Sequence, residues 1–250
     1  MKIALITGSS KGLGKSMALH LAKKGYDIFL TYKSSKIKAN AVAEDIRQNG
    51  QKCFVFQLDV SDTNSFNRFN DELLRVLDVD FKGKKLDLLI NNAGVGISKS
   101  FSETTEVEFD ELMNIHLKSP FFLTQMLLPN INDGGQILNV SSGLTRFSLP
   151  GYSTYAMMKG GIEVMSRYLA LELGARNITV NTIAPGAIET DFGGGVVRDH
   201  EHVNSFIASQ TALGRVGLPD DIGKAVAALA ADDCRWINGQ RIEISGGMRL

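Results

Sequence analysis

The sequence predicts an α/β fold in which one parallel sheet of seven strands carries helices on both faces. Three observations point there. Short apolar runs alternate with longer amphipathic stretches along the 250 residues. The runs are apolar almost throughout, as strands covered on both faces are. A glycine cluster stands directly after the first run, where a parallel sheet hands over to its first helix.

The expected strands are residues 2–7, 27–32, 53–58, 86–91, 136–140, 178–183 and 240–244. About six helices lie between them. The first places Leu13, Met17 and Leu21 on one face. Asp62 is a cap for another, whose apolar positions Phe66, Phe69, Leu73 and Val76 are spaced for one helical stripe. The stretch after Tyr155 is rich in helix formers and stops near Gly174. No Pro- or Ser-rich linker and no repeat interrupts the rhythm, so one domain over residues 1–250 is the economical reading. Residues 186–214 break the pattern with Gly193-Gly194-Gly195 and read as a mobile substrate loop. The stretch 77–85 reads as a long loop before the fourth strand.

Composition narrows the classes of function. Basic and acidic residues balance at 27 each, which removes bulk electrostatics as an argument for nucleic-acid binding. That balance hides a gradient, because residues 1–50 hold nine basic side chains against three acidic ones. No apolar run approaches a membrane span. Cys53 and Cys234 are too few for a disulfide framework or a metal knuckle, so a reducing cytoplasm is expected. His200-Glu201-His202 lacks a fourth partner and a rigid frame, and no metal is expected.

The first strand runs into Thr7-Gly8-Ser9-Ser10-Lys11-Gly12-Leu13-Gly14. Glycines let the backbone turn tightly and approach a pyrophosphate, and the helix start supplies unpaired N–H groups. Gly14-Lys15-Ser16 imitates the tail of an NTPase phosphate loop, but Ser9 stands where its first glycine is required. The second strand ends in Tyr32-Lys33-Ser34, with no acid to take a ribose 2′-hydroxyl. Lys33 and Lys11 can both approach a 2′-phosphate, so NADP(H) is expected over NAD(H).

Tyr155 and Lys159 are four residues apart, on one face if the segment is helical. Ser142 lies thirteen residues upstream of Tyr155, at the end of the fifth strand, where parallel sheets bind ligands. Read singly, each has a plainer meaning: a turn serine, a packed tyrosine, a solvated lysine.

Taken together, the glycine motif, Asn91-Asn92-Ala93-Gly94, Ser142, Tyr155 with Lys159, and Pro185-Gly186 resemble the short-chain dehydrogenase/reductase family over essentially the whole chain. The resemblance implies a single-domain Rossmann fold and an enzyme that interconverts a ketone or aldehyde and an alcohol by hydride transfer. It implies Tyr155 as acid/base, Lys159 as its electrostatic partner and Ser142 at the substrate oxygen. Asn114 would hold a water that links Lys159 to solvent. A free tyrosine titrates at about 10, and an ammonium at about 4 Å contributes roughly 4 kcal/mol at an effective dielectric of about 20. Lys159 is therefore expected to bring Tyr155 toward neutrality. The resemblance also assigns the cofactor to Gly8, Ser10, Lys11, Gly12, Leu13, Gly14, Tyr32, Lys33 and Ser34. Asp59 and Val60 would meet the adenine, and Asn91, Ala93 and Gly94 would line the groove. Pro185, Gly186, Ile188 and Thr190 would meet the nicotinamide end.

Val95, Leu144, Phe147, Tyr152 and Ala187 flank the catalytic positions as candidate pocket residues, and Arg146 can orient an anion. Among subgroups, the chain looks most similar to 3-oxoacyl-carrier-protein reductases. It departs from them before the fifth strand, where Asn130-Ile131-Asn132-Asp133-Gly134-Gly135 carries no base to dock an acidic carrier, leaving Arg176. A sugar or polyol dehydrogenase and a non-catalytic dinucleotide-binding protein stay open. The helices spanning 109–126 and 161–173 carry more apolar residues than one core stripe needs. The resemblance implies a homotetramer, or a dimer, built on them.

Overall fold

In the computed structural model, which describes residues 2–250, the apolar runs form seven strands. These are β1 (Lys2–Ile6), β2 (Tyr26–Tyr32), β3 (Cys53–Gln57), β4 (Leu86–Asn91), β5 (Ile131–Val140), β6 (Thr179–Pro185) and β7 (Arg241–Ile244). All neighbours pair in parallel, in the order β3-β2-β1-β4-β5-β6-β7. The chain reverses its direction of travel across the sheet between β1 and β4. That switch point leaves a crevice at the strand C-termini, the usual ligand position in such sheets.

Helices α1 (Gly12–Lys23), α2 (Lys36–Gln48) and α9 (Pro219–Leu229) cover one face. There Met17, Leu21, Val42, Ile46, Ile222 and Val226 pack on Ala4, Ile6, Ile28, Leu30, Leu88 and Ile90. The intervening strand residues Ile3, Leu5, Phe29, Leu89, Ile137 and Val180 point the other way, as the pleat demands. They meet α3 (Phe66–Phe81), α5 (Ser119–Leu127) and α6 (Ser153–Glu172). Phe29 sits among Phe54, Phe56 and Phe81, with ring centroids 5.4–5.6 Å away. Burying each such side chain contributes about 1.5–3 kcal/mol. Asp62 accepts the N–H of Asn64 at 3.0 Å and opens the turn that leads into α3.

Three segments differ from the sequence expectation. β5 starts at Ile131, which pairs with Leu86. The register then shifts, and Leu88 meets Gln136. The polar and glycine residues in between bulge out, which made the segment read as a loop. The stretch 77–85 is mostly helix, because α3 continues until Phe81 is buried and Lys82 takes a left-handed cap. Residues 186–214 contain two short helices, α7 (Val196–Asp199) and α8 (Glu201–Ser209). Between α4 (Glu106–Met113) and α5 the helix does not break. It passes through a π-helical turn at Asn114–Lys118, where Ser119 donates its N–H to the Asn114 carbonyl. Such wide turns are frequent at functional sites. Among the described residues, no helix is long and apolar enough to cross a membrane. Among the described residues, too, no group of three His, Cys, Asp or Glu is placed to hold a metal ion.

Candidate active site

The glycine turn is fixed by hydrogen bonds from both flanking strands. Thr31 Oγ1 accepts the Gly8 N–H at 3.0 Å, and the Thr31 carbonyl accepts the Ser9 N–H at 2.9 Å. Asn92 Nδ2 donates to the Thr7 and Gly8 carbonyls, while Thr7 Oγ1 accepts the N–H groups of Asn92 and Ala93. Gly8 has a φ of +64°, which only glycine adopts freely. At Gly14 the constraint is space: a Cβ would lie 2.5 Å from the Gly8 carbonyl oxygen and 2.7 Å from Asn92 Nδ2. No side chain caps α1, and its first turn holds no acid. Its N–H groups therefore face the crevice unpaired, a site suited to a pyrophosphate. Gly14→Ala is expected to lower Tm by about 4–8 °C, taking about 2 kcal/mol for overpacking. It should also weaken dinucleotide binding, read by thermal melts and fluorescence titration.

The end of β2 is richer in charge than the sequence showed. Tyr32 is buried, and Lys33 and Ser34 are exposed. Lys33 Nζ lies 3.0 Å from Asp59 Oδ2. Burial opposes the charge on Asp59, but hydrogen bonds from Ser61 and Lys33 outweigh it and hold the carboxyl below its usual range. An acid therefore does reach this corner, from β3 rather than β2. Val60 beside it is half-buried against the core. Lys11 points elsewhere: its Nζ meets Asp191 Oδ2 of the substrate loop at 3.0 Å. Asp191 also takes Arg198 at 2.6 Å. Lys11, like Lys33, thus rests on a carboxylate in an exposed ion pair.

The Asn91 side chain faces inward. It donates to Asn139 Oδ1 at 2.7 Å and Thr124 Oγ1 at 3.0 Å, inside the fold. Ala93 and Gly94 follow along the crevice floor, with Ala93 beneath Gly8. Pro185 ends β6, Gly186 packs on Ser245, and Ile188 bridges to Gly217. Thr190 Oγ1 accepts the Phe192 N–H at 3.1 Å and lies against Gly12.

Ser142, Tyr155 and Lys159 converge at the C-terminal ends of β5 and α6's first turns. Tyr155 and Lys159 are both buried. Lys159 Nζ donates to the Val140 carbonyl at 2.7 Å and lies 5.6 Å from the Tyr155 ring centroid. Burial dominates both groups. It raises Tyr155 above the ordinary phenol value, against a hydrogen bond from Ser142 that lowers it, with Tyr152 adding to the rise. It lowers Lys159 to about 7. Burial, and not a neighbouring charge, is thus the dominant influence on Tyr155, and it works against the expected drift toward neutrality. The result is a phenol that keeps its proton near neutral pH, which suits a proton donor.

That lysine also carries a stability consequence. Its folded pKa lies below the free value, so between about 7 and the free-lysine value of about 10.4 the unfolded chain binds more protons. Stability therefore rises with pH through that window. Lys159→Met is expected to raise Tm at pH 6 by about 2–4 °C for each kcal/mol recovered, while removing activity.

The Ser142 segment is braced from α6 and β7. Glu163 Oε1 accepts Ser141 Oγ at 2.6 Å, Thr145 Oγ1 at 2.7 Å and Arg241 Nε at 2.7 Å. Arg241 Nη2 in turn donates to the Ser142 carbonyl at 3.1 Å. Glu163→Gln is expected to lower kcat about tenfold by loosening this brace, with little change in dinucleotide affinity, measured by steady-state kinetics.

Of the expected pocket residues, Leu144 packs against the cluster that holds Tyr155. Val95, Leu144, Tyr152 and Ala187 are exposed or half-buried. Phe147 is held between the guanidinium groups of Arg146 and Arg249, 5.6 and 5.3 Å from its ring. Arg146 is fully engaged by Glu243 and the carbonyls of Met248 and Arg249, so it has no fork free for an anion. Arg176 is likewise committed, to Asp133, Leu128 and Ile131, and is not available for docking.

Two residues missing from the sequence reading stand close to the chemistry. Phe192 lies over the Tyr155 ring, centroids 5.7 Å apart, and against Gly96. His116, from the π-helical turn, meets Tyr155 edge-on at 5.1 Å. The Asn114 side chain makes no hydrogen bond to Tyr155 or Lys159. The signal for His116 was a histidine two residues beyond an expected site asparagine. For Phe192 no sequence signal existed beyond its place beside the glycine triplet.

Comparison with known proteins gives a consistent result. A family model described as enoyl-(acyl carrier protein) reductase matches residues 8–249. A hydroxynaphthalene reductase-like protein Arp2 of Metarhizium brunneum is 34% identical, over 98% of this chain and 94% of its own. The promiscuous reductase LugOII, which carries out keto-reduction in lugdunomycin biosynthesis, superposes with a TM-score of 0.94 at 34% identity, over 100% of this chain and 98% of that one. The angucycline C-6 ketoreductase LanV, solved with bound NADP, gives 0.94 at 36% identity, over 100% and 96%.

Proposed function

The chain belongs to the short-chain dehydrogenase/reductase family of oxidoreductases, and from that premise we propose that it is an NADPH-dependent reductase of a planar aromatic ketone. The observation that carries the reading is the convergence of Ser142, Tyr155 and Lys159 beside the uncapped N-terminus of α1. Reductases of hydroxynaphthalene type and of an angucycline ketone among its relatives support the substrate class. So do the aromatic rings of Phe192, Phe147 and Tyr152 around the opening.

The turn at Gly8, Ser10, Gly12 and Leu13 and the start of α1 would hold the pyrophosphate of the dinucleotide. Lys33 and Ser34 would meet its 2′-phosphate, and Asp59 and Val60 its adenine. Ala93, Gly94, Pro185, Gly186, Ile188 and Thr190 would line the nicotinamide end. When bound, the cofactor supplies the hydride. Ser142 donates a hydrogen bond to the substrate oxygen as negative charge grows on it. Tyr155 delivers the proton, and Lys159 stabilises the phenolate that remains. Residues 186–214, tied to α1 through Lys11 and Asp191, act as a mobile cover over the substrate.

The test is to follow NADPH oxidation with a panel of naphthol-type and polycyclic ketones, 3-oxoacyl thioesters, sugars and aliphatic ketones. Turnover confined to sugars or thioesters would overturn the substrate class. NADPH binding without turnover on any of them would favour a binding protein. Phe121 and Phe122 on α5, with Val164, Tyr168 and Leu171 on α6, are exposed, which supports a homotetramer or dimer built on these helices. A monomer mass in light scattering would refute that. Both cysteines are free thiols, Cys53 buried among core residues, in keeping with a reducing cytoplasm.

A further inference from the structure

We propose that His116 is a positioning residue of this site, whose Nδ1 lone pair, through one bridging water, fixes the Lys159 ammonium and passes protons to it. The inference rests on the reading of Tyr155 and Lys159 given above, and it assigns to His116 a water-holding role like the one the family resemblance implies for Asn114.

The ring is buried, 1% exposed, and locked at one end. Its Nε2 lies 2.8 Å from the Val95 carbonyl oxygen and 3.3 Å from the Val95 N–H. The shorter contact requires a proton on Nε2, which donates to the carbonyl. Nδ1 then carries the lone pair. It is buried and finds no hydrogen-bond partner among the described residues. A buried acceptor without a donor is costly, so such atoms are as a rule paired, often by water. The donor surplus lies on the facing helix. Lys159 has three N–H bonds and gives one to Val140.

The surroundings suit a neutral ring. α6 faces it with Tyr155, against whose ring the Lys159 ammonium lies 5.6 Å from the centroid, and the segment after β4 faces it with the backbone of Gly94 and Val95. Burial first, and the Lys159 charge second, hold the imidazole well below its ordinary pKa, against the Val95 contact. Space for the ring is made by Gly94, where a Cβ would stand 2.7 Å from Cε1. The π-helical turn carries His116, whose ring meets Tyr155 edge-on at 5.1 Å.

The proton balance closes without a charge on the imidazole. Tyr155 gives its O–H proton to the substrate alkoxide, and the phenolate takes one from the Lys159 ammonium. The Lys159 amine regains it from the water held at Nδ1, which solvent resupplies. Oxidation of the alcohol runs the same path backward.

The test compares His116→Phe and His116→Gln with the wild type. The phenylalanine keeps an aromatic edge on Tyr155 but has no acceptor. It is expected to lower kcat about 10- to 100-fold, in the range of lost proton-transfer assistance. It should also displace the kcat–pH profile and leave the NADPH dissociation constant within about twofold of wild type. Glutamine restores part of kcat. Nitrogen-15 NMR of the imidazole, which needs no turnover, should show a neutral ring with a hydrogen-bonded Nδ1 acceptor whose shift changes in Lys159→Met. A charged ring, a proton on Nδ1, or a His116→Phe enzyme with wild-type kcat and pH profile overturns the proposal. If no ketone is reduced at all, the reading of the function falls, while the NMR result still decides the place of His116.

Discussion

Tyr155→Phe is expected to lower ketone turnover by about 10³-fold, within the 10²–10⁴ typical of a lost general acid. The change removes one oxygen. Burial of the ring, its edge contact with His116 and its contact with Phe192 all survive, so folding should not change. NADPH affinity, measured by fluorescence titration, should stay near wild type, because the glycine turn and the start of α1 are untouched. The loss should fall on kcat and kcat/KM together, the signature of an interaction made in the transition state. Because burial raises the Tyr155 pKa, wild-type reduction should not decline through phenol ionisation anywhere near neutral pH. Retained turnover in Tyr155→Phe would remove the residue from the mechanism.

Lys33→Asp is expected to weaken NADPH by about 100-fold, with NADH changing by less than about threefold. An ammonium near a 2′-phosphate contributes about 1–4 kcal/mol between the limits of water and a protein surface, and reversal turns that attraction into repulsion. Asp59 complicates the variant. It lies 3.0 Å from Lys33 Nζ, so an aspartate at residue 33 also sets two carboxylates side by side. Lys33→Ala separates the effects, since it removes the attraction without adding the repulsion. Its NADPH loss should be smaller and its NADH binding unchanged. Equal losses for both dinucleotides in Lys33→Asp would refute the cofactor preference.

The parts legible in the sequence are those set by local pattern. β1, β2 and β4 lie within one or two residues of their expected ends, because each is a short apolar run bounded by a turn. The glycine turn was readable because Gly8 and Gly14 are demanded by backbone geometry and close approach. Ser142, Tyr155 and Lys159 came together as expected because they sit at the exit of a strand and on one face of the helix after it. What the sequence left illegible has a different cause. Lys11, Arg146 and Arg176 reach partners far away in the chain, and no spacing rule says which carboxylate or carbonyl a long side chain will find. The contact of His116 with Tyr155 was not legible, because nothing in the sequence marks the π-helical turn that carries it. An α-helix places 3.6 residues in each turn, and a wide turn departs from that spacing. β5 was truncated because its bulge is made of residues that usually end strands.

The contact of Lys11 and Arg198 with Asp191 sets how steeply this enzyme should respond to ionic strength. All three side chains are between 40% and 55% exposed, where ion pairs are weak and salt weakens them further. Arg198 belongs to the same loop as Asp191, so Lys11 alone of the two ties that loop to α1. In the reading proposed above, so shallow a tie holds the loop near the crevice and lets it open readily. Raising salt to about 0.5 M should therefore increase KM for the ketone and, where release limits the cycle, increase kcat as well.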